Sequence, residues 1–421
     1  MNKSSEQTPQ IKNNSREKVE VSEVLKASFK HKPLREYTAE ARKVLSALTR
    51  CRTAELGGHI SRCTNCEHEE QSYNSCLNRH CPKCKGGKVY QWIEAQKGDL
   101  LAVPYFHIVF TIPEELREIF YQNKKECYNL LFKASSETLT KLGETNHKVR
   151  LGFFGVLHSW NQELGYHPHI HYVVAGGGIT TEGEKSWKPI GNAKFFLPTK
   201  VLSKVFQGKL ISLLKKNHSK LKFYNNSTDL ASESHFNHQM SKAAKTDWIV
   251  YAKKPFSGPE VVIKYLSSYI HRVGISNSRL RCLNTTVNTT EGAISTIEFE
   301  ARAKKDKTKK RIVRLTTTEF ARRFLLHIVP RGYRRTRHFG YLSNSERKRS
   351  VELIRESLPA VSICISQSTD QTEEAARKKD SNKCTRCLVG KVTRMPVIMV
   401  LKAHRDNNRT MKMEPNSLFP P

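Results

Sequence analysis

The chain has 421 residues, enough for two or three domains, and its 38% of apolar residues is typical of a globular protein. Lysine and arginine total 72 against 39 aspartates and glutamates, so the net charge is +33 and the pI is near 9.8. So large a charge opposes compaction unless a polyanion offsets it, which makes nucleic acid the leading partner class and a membrane surface the weaker one.

Membrane insertion and secretion are both disfavoured. No apolar run approaches the roughly 20 residues that span a bilayer, and the N-terminal residues lack the apolar centre of a signal peptide. We therefore expect an intracellular protein. Thiols stay reduced there, so the 11 cysteines are expected to be metal ligands or buried thiols rather than disulfides.

The predicted elements follow from hydrophobic periodicity and from the positions of Pro and Gly. Residues 1–20 are polar and predict disorder. Helices are predicted over 21–48 with a break near Pro33, and at 114–142, 198–215, 229–246, 259–273 and 317–329. Strands are predicted at 104–113, 152–160 and 167–175, with a basic-tipped hairpin at 296–316.

The block from Cys51 to Cys84 contains two Cys-x2-Cys pairs, Cys63–Cys66 and Cys81–Cys84, with 14 residues between them. Two sulfurs at this spacing can hold one ion from a tight turn, and two such turns complete a tetrahedron. The pattern therefore predicts a closed, structural zinc site. Four further candidate ligands would suffice for a second zinc: Cys51, His59, Cys76 and His80. The alternative is that Cys76 and His80 are packing or phosphate-contacting residues around a single zinc site.

A later pair, Cys384–Cys387, has no second pair behind it. Cys364 or His404 could complete a further zinc site with this pair, but we do not favour a zinc site here.

The segment HPHIHYVV, residues 167–174, places three histidines at alternate positions. Side chains at i, i+2 and i+4 of an extended segment share a face, so His167, His169 and His171 are expected to point away from the apolar face. The pattern leaves three interpretations open, namely a divalent-metal site for chemistry at His169 and His171, a structural zinc site, and a merely polar strand edge. A zinc protease is disfavoured because HExxH is absent.

A third protein ligand for that ion should come from the preceding strand, where Gln162 and His158 are the candidates. We prefer Gln162, because a short connection would bring it opposite His169.

The predicted helix 259–273 carries Tyr265 and Tyr269 at i and i+4, so both phenols project from one face, with Arg272 nearby. Packing in the core is one interpretation. The other is nucleophilic chemistry, since a phenolate can attack a phosphodiester when a metal withdraws charge from the phosphate oxygens.

These features together resemble the two-tyrosine HUH transposases of the insertion-sequence ninety-one family, which move insertion sequences by a rolling-circle route. The resemblance extends from about residue 40 to 345. It is carried by HPHIH, by the Tyr-x3-Tyr helix, by CRTAELGGHISRC…HCPKC, and by YFHIVFTIP, GVLHSW, YAKKPFSGPE, YIHRVGISNSRL and FLLHIVPRGYRRTRHFGYLSN.

The resemblance implies an α+β fold in which a small zinc-binding domain precedes an HUH endonuclease-like antiparallel sheet flanked by helices. It implies a catalytic Mg or Mn ion at His169 and His171, and nucleophiles at Tyr265 and Tyr269. Tyrosine attack would leave a 3′-hydroxyl and a 5′-phosphotyrosine on single-stranded DNA. The partners would be single- and double-stranded DNA of the element's ends and target, in a bacterial cytoplasm.

We accordingly expect disorder over 1–20, a helical lead-in and zinc-binding domain over 21–95, a catalytic domain over 100–345, and a polar tail over 346–421. Cations beside aromatic residues suit single strands with exposed bases, although a solvated basic face is the alternative. The candidate DNA contacts are Arg272, Lys309, Lys310, Arg311, Arg334 and Arg335.

The expected function is that of a DNA transposase that nicks and transfers single strands through a phosphotyrosine. The alternatives are another HUH enzyme, such as a replication initiator or relaxase, and a non-catalytic zinc-bearing DNA-binding protein. A transposase that uses three carboxylates is disfavoured, because acidic residues are scarce around the candidate site.

Overall fold

The computed structural model of the chain describes residues 19–84, 98, 100–190, 198–256, 262, 273–288, 292–303, 309–358 and 383–397. The described residues form an α+β structure in which the strand pairings are antiparallel, and this confirms the predicted fold class. The chain divides into two compact units. Residues 1–51 and 76–367 belong to the larger unit, and residues 52–75 and 368–421 belong to the smaller one.

The described α-helices of the larger unit lie close to their predicted positions as far as residue 326, whereas the last helix, at Arg347–Ser357, was not predicted. They are α1 (Val21–Ser28), α2 (Ala39–Thr49), α3 (Arg117–Gln122), α4 (Lys124–His147), α5 (Thr199–Lys216), α6 (Glu233–Ala244), α7 (Thr317–Leu326) and α8 (Arg347–Ser357). None of the helices in the described ranges is both long and apolar enough to cross a membrane.

The strands form three sheets. The smaller unit contains β1 (Gly58–Cys63), β2 (Glu69–Tyr73) and β12 (Val392–Val397). The larger unit contains β3 (Tyr105–Thr111), β4 (Val149–Trp160), β5 (Tyr166–Thr180), β6 (Trp187–Pro189), β7 (Val250–Phe256), β8 (Leu280–Asn288), β9 (Gly292–Arg302), β10 (Lys310–Thr316) and β11 (Thr336–Gly340).

The first two helices form because of identifiable end signals. Glu20 and Glu23 make a reciprocal capping box at the start of α1. The Thr38 hydroxyl accepts a hydrogen bond from the Ala41 N–H at the start of α2, at 3.3 Å. Pro33 lies between the helices, at the predicted break, because proline cannot continue a hydrogen-bonded helix.

The main sheet has the order β11–β4–β5–β3–β7, with β6 paired to β5. One face of β5 carries Ile170, Tyr172 and Val174, which are fully buried in a cluster that includes side chains of α4 and α5. The Tyr172 hydroxyl lies 2.8 Å from the Ser135 hydroxyl of α4. Because successive strand residues alternate between faces, this packing turns the histidines of β5 toward the opposite face.

The second sheet of the larger unit has the order β10–β9–β8 and packs against the N-terminal helices and α7. Its β9–β10 pairing confirms the predicted hairpin; the tip, residues 304–308, lies outside the described residues.

The smaller unit contains a three-stranded sheet of order β12–β1–β2. Its third strand, β12, comes from the segment that was predicted to be a polar tail. The helix of that segment, α8, belongs to the larger unit. The compact units therefore cut across the predicted domain boundaries.

Candidate active site

Three histidines of the main sheet meet on one face. His158 of β4 is paired directly with His169 of β5, and His171 follows two residues later on the same face of β5. One ring nitrogen from each of the three lies within 4.8 Å of the others. Three imidazoles grouped in this way are a donor set that could hold one metal ion once the rings close on it.

The structure reverses the predicted preference for Gln162 as the third ligand. Strand β4 continues to Trp160, which pairs with Tyr166, so the residue opposite His169 is His158 and Gln162 lies in the connecting turn. The Asn161 side chain closes this turn, accepting hydrogen bonds from the N–H groups of Glu163 and Gly165 at 2.9 and 2.7 Å.

Hydrogen bonds hold the rings of His169 and His171. The Nδ1 of His169 lies 2.6 Å from the carbonyl oxygen of His167, and a carbonyl can only accept, so Nδ1 is the protonated nitrogen. The Nδ1 of His171 lies 2.9 Å from the Nε2 of His107. In both rings Nδ1 takes part in a contact with the protein, so Nε2 is the nitrogen suited to a metal.

His107 is a site residue that the sequence did not reveal. It lies in β3, is 3% exposed, and its ring stacks on that of His171 at a centroid distance of 5.1 Å. The only signal was a histidine inside the otherwise apolar strand YFHIVF, which does not by itself indicate a neighbour. His167, the third histidine of the motif, contributes its carbonyl to the site, and its ring is not part of the three-histidine group.

Tyr265, Tyr269 and Arg272 lie outside the described residues. Their predicted helix is represented by Val262, which is helical and fully buried. Val262 belongs to a cluster with Phe154, Val156 and Val173, which lie on the histidine-bearing face of the sheet.

Four cysteines of the larger unit form one cluster. The Sγ of Cys51 lies 3.3 Å from that of Cys84 and 3.5 Å from that of Cys81, and Cys76 lies 3.6 Å from Cys84. Four thiolates around zinc have Sγ–Sγ separations of about 3.8 Å, given Zn–S bonds of about 2.3 Å. A disulfide would require about 2.05 Å. The donor set and its spacing therefore fit a structural zinc ion.

The predicted pairing of Cys63–Cys66 with Cys81–Cys84 in one site is wrong. In the smaller unit, the sulfurs of Cys63 and Cys66 cluster instead with those of Cys384 and Cys387. Spacing along the chain suggested the nearest pair, whereas the ligands are brought together by strand pairing over more than 300 residues.

Neither His59 nor His80 belongs to a cysteine cluster. His59 lies in β1, opposite Ser72 and Pro396. His80 is buried, and this desolvation, with Arg335 and Arg79 nearby, lowers its pKa to about 3. His80 is therefore a neutral buried residue.

Two of the three hairpin cations that were predicted to contact DNA form ion pairs with carboxylates of the described residues. Arg311 forms an ion pair with Glu163, and Lys310 forms one with Glu300 at 3.0 Å. Lys309 is exposed.

Arg334 lines a cavity of about 560 Å³ that is rich in cationic groups. The cavity is also lined by Lys125, Arg331, Arg337 and His338, and none of the described residues that line it is acidic. The Arg337 guanidinium lies over the rings of Phe132 and Tyr333 at 4.4 and 5.2 Å. Arg335 is partly buried, and desolvation lowers its pKa to about 10.

Comparison with known families gives two matches. A family described as "Putative transposase" matches residues 152–350, which include the three histidines. A family described as "Transposase zinc-binding domain" matches residues 21–112, which include the Cys51, Cys76, Cys81 and Cys84 cluster.

Two curated proteins are similar over most of the chain. "Putative transposase y4qJ" of Sinorhizobium fredii (strain NBRC 101917 / NGR234) is 40% identical over 331 residues, which are 76% of this chain and 80% of that protein. "Transposase for insertion sequence element IS801" of Pseudomonas savastanoi pv. phaseolicola is 27% identical over 307 residues, 72% of this chain and 70% of that protein. No solved structure matches the chain.

The antiparallel sheet with its histidine group, the cysteine clusters and these matches define a transposase that carries a zinc-binding domain. The chain belongs to the insertion-sequence ninety-one family of transposases.

Proposed function

We propose that the chain nicks and joins single-stranded DNA at insertion-sequence ends through a 5′-phosphotyrosine, with a divalent ion held by His158, His169 and His171. The observation that carries this proposal is the three-histidine group on one face of the main sheet. Family membership supports a DNA-cleaving and strand-transferring enzyme, and the histidine group supports a metal-dependent one.

The donor set fits a divalent ion with open coordination positions. Three protein ligands leave room for oxygens of the scissile phosphate, as in catalytic rather than structural metal sites. Imidazole nitrogen suits transition metals, whereas Mg²⁺ prefers oxygen ligands, so we expect Mn²⁺ to serve better than Mg²⁺. Such an ion, when bound, would withdraw charge from the phosphate oxygens.

The hydrogen bonds around the site support the same role. A protonated Nδ1 on His169 leaves the lone pair on Nε2. The His107 contact can fix the same tautomer in His171. Both rings would then present the lone pair of Nε2 to the ion, so the protein fixes the tautomer that binding requires.

The proposed nucleophiles are Tyr265 and Tyr269. Residues 262, 265 and 269 are at i, i+3 and i+7, so in a continuous helix their side chains share one face. Val262 is buried in the cluster on the histidine side of the sheet, and this supports a tyrosine helix on the same side as the metal.

The proposed reaction conserves the phosphodiester bond energy. The phenolate oxygen attacks the phosphorus, the bond from phosphorus to the 3′ oxygen breaks, and that oxygen takes up a proton to become a 3′-hydroxyl. A 3′-hydroxyl of another end or of the target then attacks the phosphotyrosine and releases the phenol. A second tyrosine one turn away would permit two such transfers without hydrolysis.

The test is a nicking assay with Mn²⁺ and labelled single strands tiled across the DNA that flanks the gene. Wild type should cleave one of these strands. His158→Ala and His169→Ala should each lower the cleavage rate at least 100-fold. The control His235→Ala, which changes an exposed histidine, should leave the rate unchanged. Zinc content should be unchanged in all three variants. Cleavage at the wild-type rate by His158→Ala and His169→Ala would refute the metal site, and loss of zinc would reassign the histidines to a structural role.

A further inference from the structure

We propose that Cys384 and Cys387 complete a second zinc site with Cys63 and Cys66, so that the C-terminal segment is an integral part of the zinc-binding portion of the chain. Residues 383–397 lie beyond both matched family regions, which end at residues 112 and 350. The site is independent of the nicking chemistry, and its test involves no DNA.

The geometry of the four sulfurs fits zinc. The Sγ of Cys63 lies 3.6 Å from that of Cys387, and the Sγ of Cys66 lies 3.6 Å from that of Cys384. These separations match the edges of a tetrahedral four-thiolate site, about 3.8 Å, and are too long for disulfides.

Backbone N–H groups donate to the sulfurs in both Cys-x2-Cys turns. In the first turn the N–H groups of Asn65 and Cys66 donate to the Sγ of Cys63, at 3.3 and 3.4 Å. In the second turn the N–H of Arg386 donates to the Sγ of Cys384 at 3.4 Å, and the N–H of Gly390 donates to the Sγ of Cys387 at 3.3 Å. Donors of this kind stabilise the negative charge of a thiolate, which is the form that binds a metal.

Strand pairing brings the two turns together. Strand β12 pairs with β1 in antiparallel register from Gly58↔Val397 to Cys63↔Val392. Beyond the strands, the Thr64 N–H donates to the Lys391 carbonyl at 2.9 Å and the Cys384 N–H donates to the Gly390 carbonyl at 2.8 Å. This register brings the Cys384–Cys387 turn to the end of β1 that carries Cys63.

Gly390 is required where the two turns approach. A Cβ at this position would lie 2.3 Å from the Sγ of Cys63 and 2.6 Å from the Cβ of Asn65. A side chain would therefore displace a ligand, and only glycine permits the approach.

The described residues of the smaller unit bury little apolar surface. Cys63 and Cys384 are its buried apolar side chains, while Leu388 and Val389 are 70% and 74% exposed. A unit with so little buried apolar surface does not offset the entropy of ordering its backbone. Metal binding supplies that free energy in small domains of this kind, so the ion should determine whether the unit folds.

The test is the zinc content of the purified full-length protein, measured by mass spectrometry of the metal. We expect two zinc ions per chain in wild type, one in Cys387→Ser and one in Cys81→Ser. The matched control Cys282→Ser changes an exposed cysteine outside both clusters and should retain two.

Replacement by an alternative ligand separates metal binding from general misfolding. Cys387→His should restore the second zinc, because three thiolates and one imidazole also bind zinc tetrahedrally. One zinc in wild type, two in Cys387→Ser, or equal zinc contents in Cys387→Ser and Cys387→His would each overturn the proposal.

Discussion

At the scale of single residues, the site depends on which nitrogen each histidine presents. The alternation of His169 and His171 is a local property of a strand, so the sequence could predict that they share a face. The contributions of His107 and His158 depend on the register of β3 and β4 against β5, which no local pattern determines. For that reason one of them was missed and the other ranked second.

The first prediction concerns His107 as a positioning residue. His107→Ala removes the contact to the Nδ1 of His171, so we expect the affinity for Mn²⁺ to fall about tenfold or more while the zinc content stays unchanged. His107→Gln can still hydrogen-bond to the ring and should recover part of the affinity. Electron paramagnetic resonance of unbound Mn²⁺ measures this, and equal affinities for wild type and His107→Ala would exclude the role.

At the scale of secondary-structure elements, the turn between β4 and β5 determines which residues face each other. The Asn161 N–H donates to the carbonyl of Gly165 at 3.0 Å, in addition to the two hydrogen bonds that its side chain accepts. Leu164 adopts a positive φ of 62° and is fully buried, and its carbonyl lies 3.0 Å from the Nε2 of the buried His327. The sequence indicated a short polar connection but not this closure, and so the predicted register was shifted.

The second prediction compares neighbouring residues of this turn. Asn161→Ala removes two hydrogen bonds from its side chain, so we expect a loss of about 1–2 kcal/mol in the free energy of unfolding and weaker binding of Mn²⁺. Gln162→Ala should leave both quantities unchanged, because Gln162 lies in the turn and its backbone carbonyl, which accepts from Arg279, is retained. Denaturant titration and Mn²⁺ titration measure the two effects. Weaker Mn²⁺ binding in Gln162→Ala alone would restore Gln162 as the ligand.

At the scale of the whole molecule, the net charge and the long-range pairing of cysteine ligands decide how much could be predicted from the sequence. Two cysteine pairs and a net charge of +33 were enough to predict zinc and a nucleic-acid partner from the sequence, whereas DNA was implied by the family resemblance. The division of the cysteines into two clusters was not predictable, because the partners of Cys63 and Cys66 lie more than 300 residues away and are brought close by the pairing of β1 with β12. The segment past residue 346 was therefore expected to be a polar tail.

The third prediction concerns salt. Binding to single-stranded DNA should weaken steeply as salt is raised, because each phosphate contact releases counterions. Arg334→Ala removes an exposed cation from the cationic cavity and should lower the salt-dependence slope by about one. The matched control Lys215→Ala changes an exposed cation of α5 and should leave the slope unchanged. Fluorescence anisotropy between low and high salt measures the slope, and identical slopes for wild type and Arg334→Ala would exclude a phosphate contact there.

The most direct measurement is to map the covalent protein–DNA adduct. Protein incubated with Mn²⁺ and a cleaved single strand would be digested with nuclease and protease, and its peptides would be analysed by mass spectrometry. We expect a 5′-phosphonucleotide on Tyr265 or Tyr269 that is absent from Tyr265→Phe/Tyr269→Phe. Cleavage without an adduct, or an adduct that persists in this double variant, would contradict the phosphotyrosine mechanism.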